Sequence, residues 1–341
     1  MITWPRALVV VLFGLTLTGC ATPRPDAALA PALVWPTAPD VARISFVKTI
    51  SGPEDLGIGR GFLQRASDLL FGHEESSIVR PMAVVAQGDL LFVADPGAQG
   101  VHRFDAKEGR HDLIHAEGGA PLPSPVGLAL GAAGEVYVSD SALAKVFVIR
   151  PGAKEAVPLA LAVNLGQPTG IAVDPNDARL FVVDTRAHCV LVFSRDGTLE
   201  SSFGQCGTGD GEFNYPTLIW RTPQGRLYVT DSLNFRVQSF DERGRYLSKF
   251  GGLGDGAGDL PRQKGVATDR FGHIYIVDGM LHAVQVFNEQ GAFLLSLGGL
   301  GREPGEFWLP TGLFIGADDL IYVADSYNRR VQVLRYIGGP Q

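Results

Sequence analysis

The stretch RLYVTDSLNFRVQSF, at residues 226–240, contains the basic unit of this chain. A short run of β-forming residues ends at Asp231, and a second run begins at Val237 after a polar turn. The same arrangement returns as LIYVADSYNRRVQVL at residues 320–334. Short runs of β-branched and aromatic residues separated by turn residues are typical of antiparallel strands.

A strand that ends in aspartate occurs six times. These aspartates are Asp95, Asp140, Asp184, Asp231, Asp278 and Asp325, and they are separated by 45, 44, 47, 47 and 47 residues. An apolar run precedes each aspartate and further strands follow it, which gives four strands per repeat. Four strands at this period match one blade of a propeller. We therefore predict an all-β fold, a six-bladed β-propeller with four-stranded blades.

The last repeat stops after its third strand, and its missing fourth strand is found at the other end of the folded region. Residues 43–50, RISFVKTI, read like the fourth strand of other repeats, such as RYLSKF at residues 245–250. We predict that this N-terminal strand pairs with residues 331–336 and closes the ring. Closure removes free sheet edges, which otherwise invite aggregation.

The first residues read as an export signal. Arg6 precedes an apolar run, and Leu17-Thr18-Gly19-Cys20 follows. One positive charge, a short apolar stretch and small residues before a cleavage site are typical of a signal peptide. The last four residues resemble the lipobox of bacterial lipoproteins, which implies a signal peptide at residues 1–19 and acylation of Cys20. Ala21 rather than Asp follows the cysteine, and by the same resemblance this favours the outer membrane, on a side that the sequence leaves open.

Two further segments complete the domain organisation. Residues 20–41 are rich in Ala and Pro and are predicted to form a semi-extended tether. Trp35 within it is either a contact point or has no contact, and we favour the latter. Residues 42–341 form the propeller. An insertion at about residues 57–80 contains a short amphipathic helix, which packs over the first blade or serves as a lid or partner contact.

The charge of the chain argues against a nucleic-acid partner. Lys and Arg total 29 against 36 Asp and Glu, which gives a net charge of −7, and no basic block occurs. Nucleic-acid backbones are bound by clustered positive charge. We therefore expect no nucleic-acid partner. As a separate expectation, the domain is predicted to be monomeric.

The repeats resemble NHL repeats. The residues that carry the resemblance are 231–240 and 325–334, together with the preceding loops at 209–216 and 305–310. The resemblance covers residues 43–336 and implies a propeller. NHL propellers include RNA-binding modules, scaffolds, and relatives that are lyases or lactone hydrolases, so the resemblance implies fold more than function.

One face of the propeller is expected to carry the candidate binding site. In an antiparallel blade, the turns between second and third strands share a face with the loops that join successive blades. The candidate residues on this face are Arg186, His188, Tyr215, Asn234, Arg236, His282, Trp308, Asn328 and Arg329. The six aspartates lie there too, but repetition in every blade favours an architectural role, in which each side chain accepts backbone N–H groups.

Catalytic and metal-binding roles are also considered. Propeller lyases hold zinc with histidines, but His188 and His282 have no third equivalent in the other repeats. Gluconolactonase-like propellers hold a divalent cation at the central channel, whereas the first strands of these repeats offer mainly apolar side chains to that channel. We therefore predict no catalytic residue, metal or cofactor.

Two functions stay open. The first is a membrane-anchored, exported binding or scaffolding module for a protein, peptide or glycan. The alternative is a periplasmic propeller enzyme of the lyase or lactone-hydrolase kind. The apolar channel favours binding, and the sequence does not identify the partner.

Cys189 and Cys206 are a candidate disulfide. They flank a predicted hairpin that turns at Asp196-Gly197, a strong turn dipeptide. With a two-residue turn, Cys189 lies opposite Gly204, and Cys206 is a diagonal neighbour. The alternative is that Cys189 is a small core residue and Cys206 a free loop thiol.

Overall fold

A computed structural model describes residues 33–59 and 77–338, and these residues form a six-bladed propeller. The predicted leader, Cys20 and most of the predicted tether lie outside the described residues, as does most of the 57–80 insertion with its predicted helix. Among the described residues, no helix is long and apolar enough to cross a membrane.

The strands follow one another from the N-terminus. The first two are β1 (Val34–Trp35) and β2 (Ile44–Ile50). Blade 1 contains β3 (Ala83–Gln87), β4 (Leu90–Asp95), β5 (Gly100–Asp105) and β6 (Arg110–Ala116). Blade 2 contains β7 (Pro125–Leu130), β8 (Val136–Asp140), β9 (Lys145–Ile149) and β10 (Glu155–Pro158). Blade 3 contains β11 (Pro168–Val173), β12 (Leu180–Asp184), β13 (Cys189–Phe193) and β14 (Leu199–Phe203).

The remaining blades repeat this order. Blade 4 contains β15 (Pro216–Arg221), β16 (Leu227–Asp231), β17 (Arg236–Phe240) and β18 (Tyr246–Phe250). Blade 5 contains β19 (Gln263–Thr268), β20 (Ile274–Asp278), β21 (Ala283–Phe287) and β22 (Phe293–Gly298). Blade 6 contains β23 (Pro310–Ile315), β24 (Leu320–Asp325) and β25 (Arg330–Tyr336). Short 3₁₀ helices lie at Pro53–Leu56, Glu117–Gly119 and Ser232–Asn234.

The first strand of each blade lines the centre of the ring, and small residues let neighbouring first strands approach closely. A Cβ atom on Gly170 in blade 3 would lie 2.7 Å from the Cα of Leu218 in blade 4. A Cβ atom on Gly312 in blade 6 would lie 2.6 Å from the carbonyl oxygen of Met82 beside blade 1. Glycine at these positions therefore allows the inner strands to pack backbone against backbone.

The predicted ring closure is confirmed. Strand β2 pairs antiparallel with β25, from Ile44 opposite Tyr336 to Ile50 opposite Val331, with one irregularity between Phe46 and Lys48. Ile44 and Ile50 are fully buried, so the closing strand supplies core as well as hydrogen bonds.

The prediction that Trp35 lies in the tether without a contact is wrong. Strand β1 pairs with β2, and the backbone N–H of Arg43 donates to the Trp35 carbonyl at 2.7 Å. The Trp35 ring packs against Gly305, where an added Cβ atom would lie only 2.5 Å from it. The folded body therefore includes residues from Leu33 onward, and blade 6 has a fifth strand at its outer edge. A two-residue strand between prolines is too short to show an alternating pattern.

Blades 1 and 2 share one sheet, which the repeat pattern does not predict. Their outer strands β6 and β10 pair in parallel, with Glu155 opposite His115 and Ala156 opposite Ala116. The pairing gives one eight-stranded sheet and satisfies part of two outer edges.

Candidate binding site on the loop-rich face

The six aspartates are buried and accept hydrogen bonds from two loops at once. The Asp140 carboxylate accepts the backbone N–H groups of Ala142 and Leu143 at 3.0 and 2.9 Å, in the turn that follows its strand. It also accepts the N–H of Ser124, at 2.9 Å, in the loop that precedes β7. The hydrogen bonds confirm that aspartates at this position satisfy backbone N–H groups. They also place these turns and the inter-blade loops on one face, called the loop-rich face below.

Three of the predicted binding residues hold neighbouring loops in place. The Asn234 side chain donates to Asp231 and to the Gly207 carbonyl, each at 2.9 Å. Arg236 donates to Asp231 at 2.8 Å and to the carbonyl groups of residues 208, 209 and 212. Asn328 repeats the role of Asn234 beside Asp325. These donors hold loops, so Asn234, Arg236 and Asn328 have a structural role that the sequence analysis did not assign to them, and their contact with a ligand stays a prediction.

The fourth residue after each blade aspartate has a left-handed backbone. The six residues, with φ between 53° and 56°, are Gln99, Ala144, His188, Phe235, His282 and Arg329. The shared conformation ends the turn and places six side chains of five different types at equivalent positions around the face. The loop-rich face is therefore a repeated scaffold that carries variable side chains.

The two histidines in this set hold loops. Nδ1 of His282 accepts the backbone N–H of Leu309 at 3.0 Å. Nδ1 of His188 accepts the N–H of Tyr215 at 3.2 Å, and the two rings meet edge to face at 4.7 Å. Tyr215 is exposed and so is Arg186 nearby, but both lie on the blade 3 side. In the part of the chain that the structure describes, no group of three or more His, Cys, Asp or Glu residues could hold a metal ion.

An aromatic pair of one half-buried and one exposed side chain lies on blade 6. The ring centroids of Trp308 and Tyr327 are 5.7 Å apart, and the Arg302 guanidinium lies 5.1 Å from the Trp308 centroid. Tyr327 is 56% exposed. These side chains line a groove of about 530 Å³ together with Asn328, Arg329 and Arg330. We call it the aromatic groove.

A second pocket adjoins the groove at the mouth of the central channel. Its volume is about 330 Å³, and Tyr327 lines both cavities. The pocket draws its residues from blades 1, 2, 5 and 6 and from the loops before them; they include Arg80, Met82, Ser124, Val126, Arg262, Lys264, Leu309, Thr311 and Ser326. We call it the channel-mouth pocket. Burial lowers the pKa of Lys264, and the neighbouring Arg262 charge lowers it further, against an opposing effect of Asp278.

The central channel itself is mainly apolar, with Arg221 as its charged lining residue. It encloses about 160 Å³ and is lined by the inner strands of all six blades, including Ala83, Leu128, Ile171, Ile219, Val266 and Leu313. Trp220 and Phe314 meet edge to face in it at 5.9 Å, and the Trp220 indole N–H donates to Thr268 at 2.9 Å. The apolar channel predicted from the first strands is confirmed.

The structure thus groups only part of the predicted set. Trp308, Asn328 and Arg329 share the aromatic groove, whereas Arg186, His188 and Tyr215 lie elsewhere on the face. Sequence reasoning missed Tyr327 and the basic residues of the channel-mouth pocket. One signal was available for Lys264, because the other five repeats have Met82, Val126, Thr169, Thr217 and Thr311 at its position.

Cys189 and Cys206 are free thiols in the structure, so the predicted disulfide is not formed. The expected register is present, since Val190 pairs with Phe203 and places Cys189 opposite Gly204. Beyond Gly204 the chain runs along the loop of the next blade, where Cys206 forms a parallel bridge with Phe213. Cys206 therefore pairs with the loop before blade 4 rather than with the strand that contains Cys189.

Comparisons with known proteins agree with this architecture. Residues 266–336 match a family described as a 6-bladed beta-propeller, and residues 165–193 match the NHL repeat. Mouse peptidyl-glycine alpha-amidating monooxygenase is 29% identical over 149 residues, which are 40% of this chain and 14% of that protein. The chain thus spans about a seventh of the length of this curated relative.

Two solved structures illustrate the range of proteins with this fold. An auxiliary nutrient binding protein from Bacteroides thetaiotaomicron is 12% identical, with a TM-score of 0.60 over 77% of this chain and 71% of its own. Virginiamycin B lyase from Staphylococcus aureus is 14% identical, with a TM-score of 0.55 over 76% of this chain and 96% of its own. At these identities the likeness shows the fold alone, and the fold serves both binding proteins and enzymes.

Proposed function

We propose that this NHL-type six-bladed propeller is an exported binding protein that holds a peptide, a glycan or a segment of another protein on its loop-rich face. The observation that carries the proposal is the Trp308–Tyr327 pair in the aromatic groove, in which Trp308 is half-buried and the exposed Tyr327 also lines the adjoining channel-mouth pocket. Binding sites typically combine aromatic side chains with a few placed polar groups in a concave surface, which is the composition of these two cavities. The existence of nutrient binding proteins with this fold is consistent with such a role.

The proposal includes membrane attachment. The Leu17-Thr18-Gly19-Cys20 sequence supports acylation of Cys20 and anchoring at the outer membrane. Two or more acyl chains anchor a protein stably, whereas a single chain anchors it only marginally. Mass spectrometry of the mature N-terminus should find acyl groups on Cys20. An unmodified Cys20, or cleavage at another position, would remove the anchor from the proposal.

The binding role is tested with the full chain purified in detergent and screened against glycan and peptide arrays. We expect one ligand class to bind and Trp308→Ala to weaken it by at least about tenfold, because interface aromatics of this kind contribute about 2 kcal/mol or more. Leu247→Ala is the control, since it also removes an apolar side chain from the surface but lies on the outer strand of blade 4. Equal binding by both variants would contradict the proposed site.

The alternative function is a lyase or lactone hydrolase, and the fold shared with virginiamycin B lyase is the observation in its favour. His188 and His282 are the side chains on which such chemistry would be sought, although Nδ1 of each already meets a backbone N–H. Incubation with virginiamycin B and with a sugar lactone, followed by mass spectrometry, tests this alternative. Turnover that His282→Ala abolishes would replace the binding proposal.

A further inference from the structure

We propose that the channel-mouth pocket receives a carboxylate group of the ligand, with Lys264 as its central cation and Arg80 and Arg262 at its rim. This inference rests on the proposed function and deepens it, because it names the chemical class of the ligand. The three basic side chains come from the chain before blade 1 and from the start of blade 5, and only the closed ring brings them together.

The charge of the pocket is the first observation. Every charged side chain that lines it is basic, in a chain whose net charge is −7. Over the described ranges, none of these three side chains forms a salt bridge within 4.0 Å. Asp278 is close enough to act on Lys264, but its carboxylate already accepts the backbone N–H groups of Arg262, Met280 and Leu281. Within the part of the chain that the structure describes, the basic cluster therefore has no paired acid of its own.

The burial of Lys264 is the second observation. Its side chain begins at the second residue of β19 and is half-buried at the channel mouth. Burial and the Arg262 charge both lower its pKa, which means that they destabilise the charged form of the amino group. An incoming carboxylate would offset this destabilisation and form charge-assisted hydrogen bonds, which are stronger than neutral ones. The other blades place uncharged side chains at this position, so the lysine has no architectural role that the repeat requires.

The rest of the pocket limits the ligand further. The hydroxyl groups of Ser124 and Thr311 lie among apolar side chains such as Met82, Val126 and Leu309. Tyr327 links the pocket to the aromatic groove. A ligand that fits both cavities therefore has an anionic end at the channel mouth and a ring or apolar part that reaches Trp308. Acidic sugars and peptides with a free carboxyl terminus both have this chemistry.

The test uses matched pairs of probes that differ in the carboxylate. The full chain in detergent is titrated by calorimetry with glucuronate against glucose, and with an aromatic tripeptide acid against its amide. We expect one acid to bind about tenfold more tightly than its neutral partner or more, because hydrogen bonds to charged groups contribute about 1.5 to 3 kcal/mol. This preference should shrink as the salt concentration rises. The pair that shows it identifies the source of the carboxylate.

Variants at Lys264 test whether this side chain causes the preference for the acid probe. Lys264→Thr installs the residue of three other blades and should abolish the preference, whereas Lys264→Arg should retain most of it. Lys249→Thr, which removes an exposed lysine from β18, is the control and should change nothing. A melting curve for each variant shows whether it is folded, and the salt dependence is measured on the unaltered chain.

The outcomes separate this inference from the proposed function. If acid and neutral probes bind the unaltered chain equally, or if Lys264→Thr keeps the preference, the inference is wrong while a Trp308-dependent site survives. If the arrays find a ligand that Trp308→Ala does not affect, the proposed site is wrong independently of the charge. If no acid probe binds the unaltered chain, the inference is overturned for both ligand sources.

Discussion

The Nε atom of Arg236 lies 2.8 Å from Oδ2 of Asp231, and both side chains are buried. Blade 6 repeats this pair with Arg330 and Asp325 at 2.7 Å. In both blades a glutamine, Gln238 or Gln332, also donates to the same carboxylate oxygen. The part of these two repeats that resembles NHL repeats most clearly therefore encodes a buried ionic network that holds the loop before the blade.

Breaking this network in blade 4 should destabilise the fold strongly. We expect Arg236→Met to lower the free energy of unfolding by about 3 to 5 kcal/mol, because Asp231 would become a buried carboxylate without its cation. Denaturant unfolding monitored by tryptophan fluorescence measures the change. Arg186→Met removes an exposed arginine from the neighbouring blade and should alter the value by less than about 0.5 kcal/mol. Comparable losses in the two variants would contradict the assigned role.

Acid should weaken the contact between blades 3 and 4. Burial raises the pKa of Asp174, but the N–H of Asn176 and the Arg221 and Arg179 guanidinium groups together lower it below its ordinary value. Since the folded pKa is below the unfolded one, this stabilisation is complete above about pH 4 and is lost as the pH falls through the folded pKa.

The acid limb of the stability curve tests this assignment. Asn does not titrate, so Asp174→Asn should lower stability at neutral pH and flatten the fall in unfolding free energy between about pH 4 and pH 2. Asp177→Asn is the control, because that carboxyl group is half exposed and meets only Arg179. If the unfolding free energy of Asp174→Asn falls with decreasing pH as steeply as that of the unaltered chain, other carboxylates cause the loss of stability in acid.

Ring closure should depend on the inward side of β2. Ile44 is fully buried against blade 6, whereas Val47 is 43% exposed at the irregularity of the same strand. We expect Ile44→Asp to cost at least about 3 kcal/mol, since it removes a core side chain and buries a charge, and Val47→Asp to be tolerated. Deletion of residues 43–50 should abolish the cooperative thermal transition and leave an open edge. An unchanged transition after the deletion would contradict closure by this strand.

The two cysteines of blade 3 should react at different rates. Burial, with a smaller contribution from the Asp184 charge, raises the pKa of Cys189 to about 11, whereas Cys206 is exposed. Because the thiolate is the reactive form, iodoacetamide at neutral pH should modify Cys206 first and Cys189 slowly. Both should titrate as free thiols after denaturation without reductant. Loss of both thiols would instead support the disulfide that the hairpin sequence predicts.

The repeat itself could be identified without a structure, because a blade is a local unit. Its strands pair with sequence neighbours, so the spacing of the aspartates and the alternation of apolar residues suffice to predict it. Ring closure could also be predicted from the sequence. The last repeat lacks a fourth strand and the N-terminal region has one strand without a partner, so pairing the two completes the ring. The architectural role of the aspartates also followed from local chemistry, because an acceptor after a strand meets the N–H groups of its own turn.

Burial and long-range proximity were decided only by the tertiary structure. The sequence places Arg236 after a turn, where an arginine is ordinarily exposed, and only the folded loop shows that its donors are used internally. Trp35 acquires its role from Gly305, at the opposite end of the chain. The channel-mouth pocket exists because ring closure brings Arg80 beside Lys264. The local sequence pattern determined the blade, but the site depends on how the closed ring brings side chains from distant parts of the sequence together. Sequence periodicity carries no information on the spatial distance between such residues.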